Sequence, residues 1–280
     1  MGIKAIVHRG LRYIIKGVPV YNIHIDVKEM PETNILKGRR VLITGGSSGI
    51  GFYIARRCQM DGAEVLIVGR REDKLKKASK ELNGCPYLVQ DVSNVADLPN
   101  MICRAENMFG REGKIDSLVS NAGISLHEHG FHHVTEDTWD RQMSVNLKGN
   151  YFMVKCFIEY LESKEDKTGN ILVITSDRAK RADDIPYGLT KAASNSFIQG
   201  MARKIIEEGI RLNGLGPGVT CSELTGYSRN ENMYFEIAPQ KRLFLPEEMA
   251  NVASFLLSDA SACISGEIIT CDQGMYIEHW

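Results

Sequence analysis

The sequence lacks the features that mark membrane proteins and proteins that bind nucleic acid through charge. Among its 280 residues, no run approaches the roughly 20 apolar residues that a membrane-spanning helix needs. The formal net charge is -1, so no overall field attracts nucleic acid or an acidic membrane surface. We therefore expect no membrane span and no nucleic-acid partner.

The cysteine pattern also lacks any sign of a disulfide framework or a metal site. The chain has 7 cysteines, with no C-x-x-C pair and no short ligand spacing to histidine. An odd, scattered set indicates reduced thiols and a cytoplasmic location. Four histidines cluster at His127, His129, His132 and His133. We expect these histidines to lie in a solvent-exposed loop and not in a metal site. A third interpretation is that one or two of them contact the substrate.

What the chain does have is the composition of a soluble globular protein, with 43% hydrophobic and 25% charged residues. Its length is compatible with one large α/β domain, which we place at residues 37–280. Residues 1–36 are an N-terminal extension, in which apolar residues at helical spacing from Ile3 to Ile15 predict an amphipathic helix. We expect this helix to pack on the domain or on a neighbouring subunit, and attachment to a membrane surface is the alternative. In residues 21–27, apolar and polar residues alternate, which predicts a short strand or an extended arm.

A glycine-rich turn is the most informative stretch of the sequence. It follows the apolar run Val41–Ile43, which predicts a buried strand, and precedes a predicted helix that opens at Phe52. Glycines at such a turn let the backbone approach a pyrophosphate, whose charge meets the free N–H groups of the helix N-terminus. A plain tight turn is the alternative. The residues predicted to bind a dinucleotide here are Gly45, Ser47, Ser48, Gly49, Ile50 and Gly51.

The end of the second predicted strand indicates which dinucleotide binds. The strand Ala63–Val68 is followed by Gly69, Arg70 and Arg71. An acid at this place holds the ribose 2′-hydroxyl of NAD, whereas an arginine accommodates the 2′-phosphate of NADP. Because a guanidinium offers phosphate a planar, charge-assisted fork, Arg70 and Arg71 favour NADP(H). If both are only solvated residues at the start of the next helix, NAD(H) is possible.

Two further strand ends carry acidic or small residues. The predicted strand 87–90 is followed by Asp91-Val92, where the acid either caps the next helix or contacts the adenine. The strand 115–120 is followed by Asn121-Ala122-Gly123, whose small side chains leave room for a flat cofactor. Strands alternating with helices predict an α/β fold with a Rossmann-type, doubly wound, mostly parallel seven-stranded sheet and helices on both faces. The ligand crevice should lie beyond the carboxyl ends of its strands.

In this order, the motifs resemble the classical short-chain dehydrogenase/reductase family from about Leu36 to Ile277. The resemblance rests on Thr44 to Gly51, Asp91-Val92, Asn121-Ala122-Gly123, Tyr187-Gly188-Leu189-Thr190-Lys191, Pro217-Gly218 and Asp272-Gln273-Gly274. It implies hydride transfer between NADP(H) and a carbonyl or secondary alcohol, in a homotetramer or homodimer built from the helices at 136–163 and 187–208. The catalytic residues that it implies are Asn146, Ser176, Tyr187 and Lys191. The cofactor contacts that it adds are Tyr187, Lys191, Pro217, Gly218, Thr220 and Ser222.

The chemistry of the tyrosine and lysine also follows from their spacing. Tyr187 and Lys191 are four residues apart and share one face of a helix. A nearby ammonium stabilises a phenolate, so we expect it to lower the pKa of Tyr187 from its usual value near 10. Tyr187 can then donate a proton to a carbonyl oxygen as hydride arrives. The hydroxyl of Ser176, for which Thr175 is the rival, can steady the charge on that oxygen.

Three features depart from the family pattern. First, Ser176 and Tyr187 are 11 residues apart, about two fewer than is typical of the family. Second, the loop between them is heavily charged. Third, Gln273 replaces a glycine near the C-terminal end. Substrate contacts should come from loops 122–135, 177–186 and 219–245, with Glu223–Lys241 as a lid. Their polar residues predict a small polar substrate. The alternatives are an NAD(H)-dependent dehydrogenase, a 3-oxoacyl-type ketoreductase and, least favoured, a non-catalytic nucleotide sensor.

Overall fold

Strands alternate with helices throughout the computed structural model, which describes residues 21–25, 30–110 and 113–277. The strands are β1 (Arg40–Thr44), β2 (Glu64–Gly69), β3 (Tyr87–Val89), β4 (Ser117–Ser120), β5 (Gly169–Ile174), β6 (Ile210–Pro217) and β7 (Ile268–Cys271). The α-helices in this part are α1 (Gly49–Met60), α2 (Glu72–Glu81), α3 (Leu98–Phe109), α4 (Glu136–Gln142), α5 (Asn150–Glu162), α6 (Pro186–Ile205) and α7 (Pro246–Leu257). A π-helical segment, Met143–Gly149, joins α4 to α5.

The strands form one 7-stranded sheet in the order β3-β2-β1-β4-β5-β6-β7. Every neighbouring pair is parallel. Val41 of β1 pairs with Val65 of β2 on one side and with Ser117 of β4 on the other. The strand order therefore reverses at β1, and a crevice opens beyond the carboxyl ends of β1 and β4. The predicted Rossmann-type, doubly wound sheet is confirmed.

The two faces of the sheet bury alternate residues of each strand, as the pleat requires. On β1, Val41 and Ile43 belong to a core with the side chains of α1 and α7, whereas Leu42 belongs to the opposite core with α3 and α5. All three side chains are fully buried. Helices therefore cover both faces and leave the strand ends to form the site. No helix in the described ranges is long and apolar enough to cross a bilayer.

The N-terminal extension is only partly described, and its predicted amphipathic helix lies outside the described residues. Residues 21–25 form no strand, and we call them the arm. This arm lies against the loop after β6: the Met233 N–H donates to the Ile23 carbonyl (3.0 Å). The Asn232 side chain accepts from the Ile23 N–H (3.0 Å) and donates to the Tyr21 carbonyl (2.7 Å).

Candidate active site

A cavity of about 700 Å³ lies beyond the carboxyl ends of the strands, a size typical of small-molecule sites. The structure brings almost all of the predicted residues to its wall. Those that line it are Gly45, Ser47, Ser48, Gly49, Ile50, Arg70, Arg71, Asp91, Val92, Asn121, Ala122, Gly123, Ser176, Tyr187, Lys191, Pro217, Gly218, Thr220 and Ser222. Two predicted residues, Gly51 and Asn146, do not line it.

The glycine turn is packed too closely to hold side chains. Gly45 has a φ of +66°, which favours glycine. A Cβ on Gly51 would lie 2.5 Å from the Gly45 carbonyl oxygen and would collide with the Asn121 amide. That amide donates to the carbonyls of Thr44 (3.0 Å) and Gly45 (3.1 Å). The turn and the Asn121 loop therefore form one bare backbone cradle at the start of α1, which fits the pyrophosphate of a dinucleotide.

The two arginines after β2 are exposed at the cavity and only loosely held. Arg70 lies 3.7 Å from Asp91, and Arg71 lies 3.7 Å from Glu223. Because each of these side chains is more than a third exposed, the pairs contribute little to stability and leave the guanidinium groups able to turn. The Asp91 carboxylate also accepts from the Ser93 N–H (2.9 Å) and hydroxyl (2.7 Å), so it fixes the turn after β3.

The tyrosine and lysine occupy the first turns of α6. Lys191 is buried, and its ammonium donates to the Ile174 carbonyl at the end of β5 (2.9 Å). Burial lowers the pKa of Lys191 to about 8. Burial also raises the pKa of Tyr187, against smaller lowering effects from the Ser176 hydroxyl and Arg178. The predicted lowering of the Tyr187 pKa is therefore wrong here: desolvation outweighs the favourable charges, and the ammonium makes its hydrogen bond to backbone.

Asn146 lies in the π-helical segment, a distortion that is common at functional sites. Its side-chain amide donates to the Ile124 carbonyl (2.8 Å) and accepts from the Ile124 N–H (2.8 Å). The Asn146 carbonyl accepts from the Asn150 side chain (2.9 Å), which also donates to the Ala122 carbonyl (2.9 Å). The two asparagines thus brace the loop after β4. Asn150 escaped the sequence analysis, although its four-residue spacing from Asn146 was visible.

The substrate side of the cavity combines polar side chains with apolar ones. Of the four clustered histidines, only His127 lines it. Within the described ranges, no group of three histidine, cysteine or acidic side chains could hold a metal ion. The cavity wall also includes residues that the sequence did not single out: Leu126, Arg141, Val145, Leu224, Tyr227 and Phe235. Arg141 on α4 carries no sequence signal, because only the tertiary packing brings it here.

The short charged loop between Ser176 and Tyr187 is closed by an ion pair. Arg178 donates from Nε (2.6 Å) and Nη2 (2.7 Å) to the two oxygens of Asp183, and its guanidinium lies 5.9 Å from the centre of the Tyr187 ring. A Cβ on Gly188 would overlap the Asp183 carboxylate. The glycine in the Tyr-x-x-x-Lys stretch therefore makes room for this loop.

The other departure, Gln273, also has a structural consequence. Its φ of +58° lies in the left-handed region, which a glycine would adopt without strain. Its side-chain amide donates to the Gln240 side chain (2.7 Å) in the loop after β6. This contact ties the segment after β7 to the loop predicted to act as a lid.

Comparisons with known proteins show that this chain is similar in sequence and structure to oxidoreductases. The profile of the family described as Enoyl-(Acyl carrier protein) reductase matches residues 45–276. The acetoacetyl-CoA reductase of Synechocystis sp. is 32% identical over 240 residues, 84% of this chain and 95% of that protein. An oxidoreductase of Sarocladium schorii is 30% identical over 247 residues, 86% of this chain and 96% of that protein. The structure of 3-ketoacyl-(acyl-carrier-protein) reductase from Brucella melitensis, complexed with NADH, matches with a TM-score of 0.79 at 29% identity, covering 86% of this chain and 100% of that one.

Proposed function

Because this chain belongs to the short-chain dehydrogenase/reductase family of oxidoreductases, we propose that it transfers hydride between NADP(H) and the carbonyl or secondary alcohol of a small polar substrate. One observation carries the proposal: Ser176, Tyr187 and Lys191 line the same cavity as the glycine turn and Arg70. A nucleotide sensor without turnover has no need of this combination.

Each part of the cavity has a role in this proposal. The backbone cradle at Gly45 holds the pyrophosphate, Arg70 holds the 2′-phosphate, and Lys191 binds the nicotinamide ribose, as the family resemblance implies. A nicotinamide held there would supply or accept the hydride. Tyr187 donates its phenolic proton to the carbonyl oxygen, and the Ser176 hydroxyl steadies the charge that develops there. In alcohol oxidation, the phenolate of Tyr187 accepts the proton.

The choice of NADP(H) is supported by the residues after β2. Gly69 stands where a carboxylate would select NAD, and the exposed guanidinium groups of Arg70 and Arg71 lie at the cavity wall. NAD(H) is the second candidate, because Asp91 and Glu223 lie close enough to offset both positive charges. Isothermal titration with NADPH and NADH decides between them. We expect NADPH to bind more tightly, and an equal or tighter affinity for NADH would overturn the proposed preference.

The small polar substrate is supported by His127, Arg141 and Arg178, which all line the cavity. A 3-oxoacyl-type substrate is the second candidate, favoured by the apolar side chains of Tyr227 and Phe235 in the wall. A panel of hydroxy ketones, sugars, acetoacetyl-CoA and apolar cyclic ketones tests both. We expect turnover with small polar carbonyl compounds. Turnover confined to apolar ketones would contradict the proposed substrate class.

The helices that the sequence predicted to form a subunit interface offer a suitable surface. A groove of about 400 Å³ is lined by residues of α4, the π-helical segment and α5 on one side and of α6 on the other. Met143, Tyr151 and Phe197 give it an apolar lining. This surface supports a homodimer or homotetramer, which light scattering would show by its mass. A monomeric mass would overturn this part of the proposal.

The state of the thiols supports a reducing compartment such as the cytoplasm. All seven cysteines are free, and four of them are buried. Imaging of the tagged protein in its native cells tests the proposed location. A signal confined to an oxidising compartment would contradict it.

A further inference from the structure

Glu223 connects the loop after β6 to the start of α2, on the dinucleotide side of the cavity. One oxygen of its carboxylate forms a salt bridge with the Lys74 ammonium and lies 3.7 Å from the Arg71 guanidinium. Glu223 and Arg71 both line the cavity, and Lys74 follows Arg71 by three residues, about one turn of helix. A single acid from the predicted lid therefore meets two cations beside the proposed 2′-phosphate site.

The turn that carries Glu223 is held by its own hydrogen bonds. The Thr225 hydroxyl donates to the Thr220 carbonyl (2.7 Å) and accepts from the Ser222 N–H (3.2 Å). A Cβ on Gly49 would lie 3.3 Å from the Ser222 Cβ, so this turn passes close to the glycine turn. Its geometry therefore places Glu223 between the glycine turn and α2, where the dinucleotide is proposed to lie.

The contacts of Glu223 are of the kind that a bound anion would make. Arg71 is the N-cap residue of α2, where the first-turn N–H groups and the helix dipole favour negative charge. The side chains of Glu223 and Arg71 are 61% and 63% exposed, so their attraction is weak and open to exchange. A phosphate monoester carries a charge of about −1.5 to −2 at pH 7, more than one carboxylate. A phosphate is therefore the stronger ligand for the same cations.

We propose that Glu223 is a specificity-determining residue for the dinucleotide, because it occupies Arg71 and Lys74 until a 2′-phosphate displaces it. A 2′-hydroxyl is uncharged and leaves these ion pairs in place. Glu223 thus opposes the binding of NADP(H) without opposing that of NAD(H), and Lys74 becomes a phosphate contact that the sequence did not single out. The inference rests on the proposed function, because it concerns the dinucleotide of that reaction.

Isothermal titration with two fragments of the dinucleotide tests the proposal. Adenosine 2′,5′-bisphosphate carries the 2′-phosphate, whereas adenosine 5′-monophosphate lacks it. Glu223→Gln should bind the bisphosphate about 2- to 5-fold more tightly than the wild type and the monophosphate equally well. The matched control is Glu231→Gln, which removes the same charge from an exposed residue of the same loop and should leave both affinities unchanged. An unchanged affinity of Glu223→Gln for the bisphosphate, or a parallel gain for the monophosphate, would overturn the proposal.

A second comparison shows whether Glu223 acts through the cations on α2. In a Lys74→Gln background, Glu223 has lost one of its two partners, so Glu223→Gln should give a smaller gain in bisphosphate affinity. An equal gain in both backgrounds would show a general charge effect and would overturn the proposal.

The fragments contain no nicotinamide, so these titrations do not depend on hydride transfer. If the wild type binds NADH more tightly than NADPH, the proposed cofactor preference fails, and the comparison of variants still decides the role of Glu223. Failure of the bisphosphate to bind even Glu223→Gln would overturn that role.

Discussion

The two halves of the cavity are built by different means. The half beyond the carboxyl ends of β1, β2 and β4 is made mostly of backbone. Its glycines carry no side chains, and the Asn121 side-chain amide donates to the carbonyls of Thr44 and Gly45. The strand ends meet there at one edge of the sheet. The half beyond β5 and β6 is made of side chains from loops, including the ion pair of Arg178 with Asp183. A backbone cradle is set by the fold itself, whereas the loops carry what is particular to this chain.

This difference divides the expected roles of the halves. The backbone half should control the affinity for the dinucleotide and have little influence on the choice of substrate. The loop half should control turnover and substrate affinity while leaving cofactor binding nearly unchanged, apart from the effect proposed for Glu223. Variants that alter one half at a time test this division.

The largest effect is expected from Tyr187→Phe, which removes the proton donor. We predict a fall in kcat of about 10²- to 10⁴-fold, with the Kd for NADPH within about 3-fold of the wild type. The matched control is Tyr87→Phe, a partly exposed tyrosine on β3 outside the cavity, which should retain full activity. Steady-state kinetics and titration of NADPH measure the two quantities. Near-full activity of Tyr187→Phe would exclude the assigned mechanism.

The next largest effect is expected from Gly51→Ala in the backbone half. The added Cβ would meet the Gly45 carbonyl at 2.5 Å, and such overpacking costs about 1–3 kcal/mol. We predict a loss of NADPH affinity of about 10-fold or more. Gly200→Ala on α6 is the control, because a Cβ there meets nothing within 4 Å. Circular dichroism confirms folding, and equal NADPH affinities for the two variants would show that the cradle is not the binding site.

A smaller effect, specific to one cofactor, is expected from Arg70→Ala. A charge-assisted hydrogen bond is worth about 1.5–3 kcal/mol, so the variant should lose about 10- to 100-fold in NADPH affinity. The affinity for NADH should change by less than about 3-fold. Arg104→Ala on α3, an exposed arginine outside the cavity, is the control. Parallel losses for both dinucleotides would place Arg70 away from the 2′-phosphate.

The smallest effect concerns the arm at residues 21–25 and the loop that it contacts. Asn232 bonds the arm through both atoms of its side-chain amide, and Ile23 packs with Met233 and Phe235 in one cluster. Because Phe235 also lines the cavity, Asn232→Ala should raise the KM for substrate by about 2- to 5-fold without changing NADPH affinity. Asn230→Ala in the same loop is the control, and equal KM values for the two variants would separate the arm from the substrate site.

The division between the halves also explains what the sequence could reveal. The glycine turn, the strand pattern and the four-residue spacing of Tyr187 and Lys191 are local signals, so the sheet and the glycine-turn half of the cavity were predictable, whereas Arg141 and Phe235 in its wall were not. The docking of Ile23 onto Asn232 joins residues 209 positions apart, and no local pattern encodes it. The predicted direction of the Tyr187 pKa shift was wrong for the same reason. The four-residue spacing indicates a neighbouring ammonium, but it does not show the burial that raises this pKa.

The central claim is that one cavity brings a nicotinamide and the phenol of Tyr187 to the same carbonyl group. The most direct measurement uses NADPH that carries deuterium at the transferring position of nicotinamide C4, with mass spectrometry of the alcohol formed from a turned-over carbonyl substrate. We predict one deuterium on the carbinol carbon with the labelled cofactor, and none on that carbon when unlabelled NADPH is used in deuterated water. Product without carbon-bound deuterium from the labelled cofactor, or with deuterium on that carbon from the solvent, would contradict it.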